Sequence, residues 1–115
     1  MKYLLNIYAS EALEDAMSAE ATGQLMQAYG AYTEALVKAG VLQGGERLRA
    51  STDAASVRVR NGKTEVLNGP YAETREQLGG YYLIDVPDLD AALSWAARCP
   101  TSSYGTIEVR PIWEM

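Results

Sequence analysis

The sequence predicts a single α+β domain over residues 1–115, with a ferredoxin-like βαββαβ core and an inserted β-hairpin. Periodic patterns follow one another in the order strand, helix, strand, hairpin, strand, helix, strand. The length of 115 residues suits one domain. Two helices can cover only one face of such a sheet, yet its strands carry apolar side chains on both faces. We therefore expect a homodimer in which a second copy covers the other face.

The first element, residues 2–8, is predicted to be a central strand. Tyr3, Leu5 and Ile7 fall on one face, and the other face is also mostly apolar, with Leu4 and Tyr8 on either side of an asparagine. A strand with two apolar faces needs cover on both sides. An acidic, alanine-rich connection follows over residues 9–17.

A long amphipathic helix is predicted from an N-cap at Ser18 to Ala39. Serine side chains accept hydrogen bonds from the free N–H groups at a helix start, and Gly40 is typical of a C-terminal stop. Apolar and aromatic residues recur at i, i+4, i+7 and i+11, which makes one stripe. The members of that stripe are Leu25, Tyr29, Tyr32 and Leu36.

The middle of the chain predicts an edge strand and a hairpin. Residues 41–48 have strand character but are interrupted by Gly44-Gly45, which indicates a β-bulge or a sheet edge. Alternating residues over 56–67 are divided by Asn61-Gly62, the strongest short signal for a hairpin turn. We expect one face of this hairpin to be solvated, because it carries arginines.

The last part of the chain predicts a strand, a helix and a final strand. Residues 73–77 are predicted to form a helical turn, and residues 78–86 the most apolar strand. Asp88 is the expected N-cap of a helix that stops at Pro100, because proline cannot continue it. Residues 106–110 alternate again and complete the sheet.

Charge and composition exclude several classes of function. The formal net charge is −5 and the basic residues are scattered, so we expect no nucleic-acid partner. Histidine is absent, which removes the commonest metal ligand and general base, and we expect neither a metal nor a cofactor. Cys99 has no cysteine partner, as is usual in a reducing compartment, and is interpreted as a small buried residue.

The N-terminal apolar run is too short for a signal peptide and soon meets polar residues. No segment approaches the ~20 apolar residues of a membrane-spanning helix. We therefore expect a cytoplasmic protein with no membrane partner.

The connector between the hairpin and the apolar strand concentrates polar groups. Glu73, Arg75 and Glu76 lie within four residues of one another, and Asn68 precedes them. In a binding site, Arg75 would bind an anion through paired hydrogen bonds, Asn68 would hydrogen-bond the ligand and Glu73 would transfer a proton. The alternative is a solvated connector in which Arg and Glu pair and Asn68 closes its own turn.

Other candidates for a pocket lie outside that connector. Glu46 follows Gly44-Gly45, which could turn its carboxylate toward a cleft for acid–base chemistry; the alternative is an exposed charge that protects a sheet edge. Tyr29, Tyr82 and Tyr8 could line a pocket with hydroxyl groups, or could be packed in the core.

The stretch Asn68-Gly69-Pro70-Tyr71, with residues 72–82 after it, resembles the YCII-related family in the branch known by its Asp-Gly-Pro-Phe signature. The resemblance extends over nearly the whole chain, through residues 1–8, 39–42, 44–46, 57–60, 91–100 and 108–111. It implies a dimeric α+β barrel of ferredoxin-like subunits with a pocket between sheet and helices.

The resemblance also bears on function. A His–Asp pair suggested as catalytic in the wider family does not transfer, because this chain has no histidine, and the acidic signature residue is here Asn68. The branch is often associated with extracytoplasmic-function sigma factors, which implies a regulatory role. Three functions stay open: a binder of a small polar or anionic molecule near residues 68–77, a cofactor-free enzyme that uses a glutamate, and an interaction module linked to a sigma factor.

Overall fold

The computed structural model describes residues 1–114 and contains one four-stranded sheet, one two-stranded sheet and three α-helices. Two short 3₁₀ turns, Ser51–Asp53 and Pro100–Ser103, connect these elements. In chain order the elements are β1 (Lys2–Ala9), α1 (Glu11–Asp15), α2 (Ala19–Lys38), β2 (Leu42–Arg47), β3 (Ala55–Arg60), β4 (Lys63–Asn68), β5 (Gln77–Asp85), α3 (Leu89–Arg98) and β6 (Thr106–Pro111).

The larger sheet has the strand order β2-β5-β1-β6, and each neighbouring pair is antiparallel. Each helical crossover therefore skips one strand, β5 after α2 and β1 after α3. This is the ferredoxin-like arrangement that the sequence predicts, and β2 lies at the edge as expected. The strands β3 and β4 form a separate hairpin.

The hydrophobic core lies between one face of this sheet and the two long helices. Tyr3, Leu5 and Ile7 of β1 are buried against Leu36 of α2 and Ala92 of α3. Leu5 and Leu36 are almost completely inaccessible, and burying each leucine stabilises the fold by about 2 kcal/mol. The register of β1 confirms the alternation read from residues 2–8.

Both long helices begin at the predicted caps. The Ser18 hydroxyl accepts a hydrogen bond from the backbone N–H of Ala21 at 3.0 Å, and the Asp88 carboxylate accepts one from Ala91 at 2.9 Å. Gly40 has a φ of +72°, the left-handed conformation that glycine commonly adopts directly after the end of a helix. These contacts satisfy N–H and C=O groups that a helix end leaves free.

The hairpin turn is also confirmed, but the helical turn predicted over residues 73–77 is wrong. Asn61 and Gly62 have φ values of 52° and 75°, as a two-residue turn of this hand requires. The structure has no helix over 73–77, and Gln77 is the first residue of β5, paired with Ala9. The backbone of Gln77 pairs with the neighbouring strand β1. Its hydrogen-bonding groups therefore find partners there and do not need a helical turn within residues 73–77.

The opposite face of the four-stranded sheet is only half-buried. It carries Leu4 and Tyr8 of β1 with Tyr81 and Leu83 of β5, as the alternation along both strands requires. The molecule is correspondingly flat, with principal extents of 48 × 44 × 18 Å.

Candidate functional site

An open cleft of about 1050 Å³ lies between α2 and the edge of the sheet formed by β2 and β5. Cavities that bind small molecules usually have volumes of about 300–1,000 Å³, so this cleft is large enough to hold one. The helix α1 and residues 48–50 lie at its margins. Its apolar wall includes Ile7, Met17, Leu25, Met26 and Leu42.

Glycines on β2 and β5 create the space. Gly45 and Gly80 lie where the two strands approach each other so closely that a side chain would clash. A Cβ atom at Gly80 would lie 2.7 Å from the carbonyl oxygen of Glu46, and one at Gly45 would lie 2.8 Å from that of Tyr81. The sheet therefore presents bare backbone to α2 at this end, whereas larger side chains fill the other end.

A set of hydrogen-bonded hydroxyls forms the inner wall. The Tyr29 hydroxyl lies 2.5 Å from Oγ1 of Thr101, and Oγ1 of Thr101 lies 3.4 Å from the Tyr104 hydroxyl. Tyr104 in turn donates to the Glu14 carboxylate at 2.7 Å. The chain of contacts runs from α2 through the segment after α3 to α1, and joins three elements around the cleft.

A second hydroxyl pair lies nearer to the middle of the sheet. Thr33 of α2 and Tyr82 of β5 are joined at 2.7 Å between Oγ1 and the phenol oxygen. Burial raises the pKa of Tyr82, and it also raises the pKa of Tyr29 and Tyr104 above the ordinary value for tyrosine. These phenols stay protonated at neutral pH, so they can donate hydrogen bonds to a bound molecule but cannot act as bases.

Arg47 supplies a positive charge at the edge of the cleft. It pairs with Gly80, and since Gly80 has no side chain, Arg47 can extend across it toward α2. Its Nη1 atom lies 3.6 Å from the sulfur of Met26. Among residues 1–114 no carboxylate forms an ion pair with Arg47, unlike the neighbouring Arg49, which pairs with Asp53 at 3.0 Å.

The short helix α1 closes one end of the cleft and is held by polar contacts. The Glu11 carboxylate accepts hydrogen bonds from the backbone N–H of Ser51 at 2.7 Å and from its hydroxyl. The backbone N–H of Glu11 donates to Oε1 of Gln77 at 2.8 Å. No residue of α1 is buried, so these contacts and the Glu14–Tyr104 bond fix its position.

Comparison with known proteins places the chain in a family. Its sequence matches the family model described as "YCII-related domain" over residues 1–115. The chain belongs to the YCII-related family. A relative from Rhizobium meliloti (strain 1021), described as an uncharacterized protein, is 40% identical over 114 residues, which are 97% of this chain and 92% of that protein.

Three of the residues proposed from the sequence border the cleft of this YCII-related chain. They are Tyr29, Tyr82 and Glu46. Glu46 pairs with Tyr81 across β2 and β5, and paired residues share a face, so its side chain belongs to the half-buried face of the sheet. Its carboxylate is therefore not directed at α2 by the strand register.

The other four proposed residues do not line the cleft. Glu73 and Arg75 are exposed on the connector, and Asn68 ends β4 in an exposed position. Tyr8 pairs with Leu78 and lies on the half-buried face of the sheet, opposite to the helices. The structure therefore does not bring these residues together with Tyr29 and Tyr82, and their proposed roles stay predictions.

The cleft of the YCII-related chain depends on residues that the sequence reading did not single out. Arg47, Glu11 and Thr101 occupy its edge, one end and its inner wall. Arg47 lies two residues after Gly45 and therefore on the same face of β2. This spacing is the one local signal that could have identified it. Glu11 and Thr101 acquire their partners from distant segments, Ser51 and Tyr29, so no pattern of neighbouring residues indicates them.

No helix among residues 1–114 is both long and apolar enough to cross a membrane. Within the same residues, no three His, Cys, Asp or Glu side chains are grouped closely enough to hold a metal ion. The residues around the cleft offer hydroxyls, the guanidinium groups of Arg47 and Arg49, carboxylates at the α1 end and apolar surface as binding groups.

Proposed function

We propose that this protein is a homodimer of the cytoplasm that binds a small organic carboxylate in the cleft between α2 and the β2–β5 edge. The observation that carries the proposal is Arg47, a guanidinium at the mouth of an open cleft of about 1050 Å³, with no carboxylate of residues 1–114 paired to it. Guanidinium groups bind carboxylates through two parallel hydrogen bonds.

The rest of the cleft supports a ligand with an apolar body. Met17, Leu25 and Met26 form one wall, and methionine side chains adapt to ligands of irregular shape. The protonated hydroxyls of Tyr29 and Tyr82 offer donors farther inside. A carboxylate at Arg47, an apolar middle and a hydrogen-bonding group at the far end would satisfy all three regions.

The acidic side chains at the α1 end do not contradict an anionic ligand. Glu11 accepts two hydrogen bonds from Ser51, and Glu14 accepts one from Tyr104, so both carboxylates already have partners within the protein. Asp15 also lines this end, and among residues 1–114 its carboxylate forms no ion pair. Their negative charge would disfavour an anion at that end of the cleft. The ligand would therefore be oriented with its carboxylate toward Arg47.

A binding experiment tests this assignment with one apolar body and three head groups. Hexanoate, hexylamine and hexanol are titrated calorimetrically into the wild-type protein, Arg47→Ala and Lys38→Ala. Loss of a charge-assisted hydrogen bond costs about 1.5–3 kcal/mol, so we expect Arg47→Ala to weaken hexanoate binding by roughly 10- to 100-fold.

Lys38→Ala is the control because it removes the same charge at the exposed end of α2, where Lys38 pairs only with Glu34. We expect hexanoate to bind this variant as it binds the wild type. Binding of hexylamine in preference to hexanoate, or equal affinities in the two variants, would refute the carboxylate assignment.

The proposed dimer rests on the half-buried sheet face that carries Leu4, Tyr8, Tyr81 and Leu83. These apolar side chains alternate with polar ones such as Asn6 and Glu108 and are only partly covered, and a two-fold pairing of the sheets would remove them from water. Sedimentation at micromolar concentration should give a particle of twice 12.5 kDa. Particles of 12.5 kDa alone would exclude the dimer.

An enzymatic role with Glu46 as the acid–base group is the second candidate. Glu46 borders the cleft at the sheet edge, but the strand register places its side chain on the face opposite α2, so proton transfer would require it to turn around the edge strand. In that reading Glu46 would transfer a proton at a substrate bound by Arg47. Glu46→Gln should then abolish turnover of a bound carboxylate while the affinity for that carboxylate persists. Unchanged turnover would leave binding as the function.

An interaction module is the third candidate and follows from the Asp-Gly-Pro-Phe branch, to which we also assign the chain on its Asn68–Tyr71 motif. The Tyr71 side chain is 87% exposed, which suits recognition of a partner such as a sigma factor. Tyr71→Ala should abolish co-elution with that partner while hexanoate binding stays as in the wild type. Co-elution that is unaffected by Tyr71→Ala would exclude this surface.

A further inference from the structure

The hairpin β3–β4 extends from the rest of the protein without joining its sheet. Eleven of its twelve strand residues are exposed. At its base the backbone N–H of Gly69, directly after β4, donates to the carbonyl of Ala54, directly before β3, at 2.6 Å. A two-stranded hairpin alone in water is marginally stable at best, so cover from another surface would stabilise it.

One face of the hairpin is apolar. Val57 lies opposite Val66, and Val59 lies opposite Thr64, so the three valines share a face. Their exposed fractions are 65% for Val57, 64% for Val66 and 57% for Val59. Exposed β-branched residues on a free hairpin invite pairing with another protein surface.

The other face carries a positive charge that the hairpin does not neutralise. Arg58 pairs with Glu65 at 2.9 Å, but Arg60 lies directly opposite Lys63. Like charges in this position repel, and neither Arg60 nor Lys63 has an ion-pair partner among residues 1–114. Carboxylates from another molecule would relieve this repulsion.

Charge complementarity identifies a second copy of this chain as the occupant. Residues 55–68 contain three basic and one acidic side chain, a net charge of +2, whereas the other positions contain seven basic and fourteen acidic side chains, a net charge of −7. A basic hairpin on an acidic body attracts the body of an identical molecule. Three basic residues are too few to favour a phosphate backbone instead.

The area needed for a stable dimer supports the same conclusion. The four-stranded sheet offers a face of about 450 Å², from strands roughly 24 Å long and about 4.8 Å apart. Stable interfaces bury about 800 Å² of accessible surface on each partner, so additional contact area from the hairpin would strengthen a dimer formed by this small sheet. In a two-fold dimer each protomer adds two further surfaces, its own hairpin face and the surface on which the partner's hairpin docks. Each has an area of about 200 Å², so the interface area of each protomer becomes about 850 Å².

We propose that the β3–β4 hairpin is an arm that docks on a second copy of this chain. The valine face packs on the partner, and Arg60 and Lys63 lie among its carboxylates. This inference rests on the proposed homodimer and adds the element that holds it together. It also assigns a role to the inserted hairpin, which is not part of the ferredoxin-like core.

The test is the dimer dissociation constant, measured by sedimentation velocity over a concentration series. Val57→Glu combined with Val66→Glu should raise this constant at least 100-fold, because it places charges on the docking face. The control is Val37→Glu, since Val37 of α2 is equally exposed at 59% but lies outside the arm. We expect that control to leave the constant within two-fold of wild type.

A second pair of variants tests the charged face. Arg60→Glu with Lys63→Glu should weaken the dimer at least 10-fold at low salt, whereas exchanging the charges of Arg58 and Glu65 keeps their ion pair and should have little effect. Circular dichroism should show that each variant is folded, because none of these side chains lies in the core.

The outcomes separate the arm from the dimer itself. A wild-type dimer whose dissociation constant is unaffected by the valine and charge variants would overturn the arm and leave the dimer standing. A wild-type chain that sediments only as a monomer at micromolar concentration would overturn both.

Discussion

The hydroxyl of Tyr29 and Oγ1 of Thr101 are 2.5 Å apart and join α2 to the segment that follows α3. Thr101 is a buried polar residue, only 2% exposed, and its hydroxyl has no solvent to replace that partner. Tyr104 and Glu14 extend the contact to α1. The pair therefore fixes the inner wall of the cleft.

Substitution of Thr101 by valine should destabilise the protein by about 1–3 kcal/mol. The shape is kept, but the Tyr29 hydroxyl loses its closest partner and is left partly desolvated. Urea denaturation measures the effect. In the double variant with Tyr29→Phe the loss should be smaller than the sum of the two single losses, because both substitutions remove the same hydrogen bond. Additive losses would show that the contact is energetically unimportant.

Gly105 should not tolerate a methyl group, because a Cβ atom there would lie 2.8 Å from Cγ2 of Thr101 and would also meet the backbone oxygen of Tyr8. We expect Gly105→Ala to lower the free energy of unfolding by about 1–3 kcal/mol. Gly23→Ala is the matched control, since no atom lies within 4 Å of its added Cβ. In the interior of α2 it should raise stability by about 0.5–1 kcal/mol, as alanine favours a helix. Equal effects of both substitutions would contradict the packing at Gly105.

Stability should fall as the pH rises above about 9. Burial raises the pKa of the Cys99 thiol above its ordinary value of 9.0 and raises the pKa of Tyr29 above 10.0. Between pH 9 and 11 the unfolded chain thus releases protons that the folded protein retains, and unfolding becomes more favourable; below pH 9 this contribution is fully present. Urea midpoints measured at pH 8, 9, 10 and 10.5 check the trend. Tyr29→Phe should have a shallower decline, and a flat wild-type profile would disprove the prediction.

Loss of the Glu11 carboxylate should release α1 without unfolding the sheet. Glu11→Ala removes two acceptors from Ser51, and α1 has no buried residue to hold it in their absence. We expect amide hydrogen exchange in α1 and near Ser51 to accelerate at least 10-fold, because local opening replaces the lost contact. Glu20→Ala, in the first turn of α2, is the control and should leave α1 unchanged. Protection of α1 that persists in Glu11→Ala would show that other contacts suffice.

Local patterns were sufficient for the helices and the hairpin because their determinants lie close together in sequence. Ser18 and Asp88 bond to N–H groups three residues ahead, and Asn61-Gly62 adopts its turn from its own backbone preferences. The prediction of a helical turn over 73–77 failed because the backbone of Gln77 pairs with Ala9 of β1, which is distant in the chain.

The candidate site was predicted less completely. Tyr29 and Tyr82 were identified as possible pocket residues and border the cleft, whereas Arg75 and Glu73 lie on an exposed connector. Tyr8 illustrates why the sequence pattern could not locate every pocket residue. Strand β1 is apolar on both faces, so its alternation does not reveal which face the helices cover. Only the burial of Tyr3 and Leu5 against α2 and α3 places Tyr8 on the opposite side.

The order of strands and helices, the helix caps and the glycine-interrupted edge strand were determined by the sequence itself, since each depends on neighbouring residues. The cleft was decided by the tertiary structure. Leu25 and Leu36 belong to one helical stripe, yet Leu36 is buried in the core and Leu25 lines the cleft. The difference arises on the facing sheet, where Gly45 and Gly80 border the cleft without a side chain, whereas Leu5 and Ile84 pack in the core with Leu36.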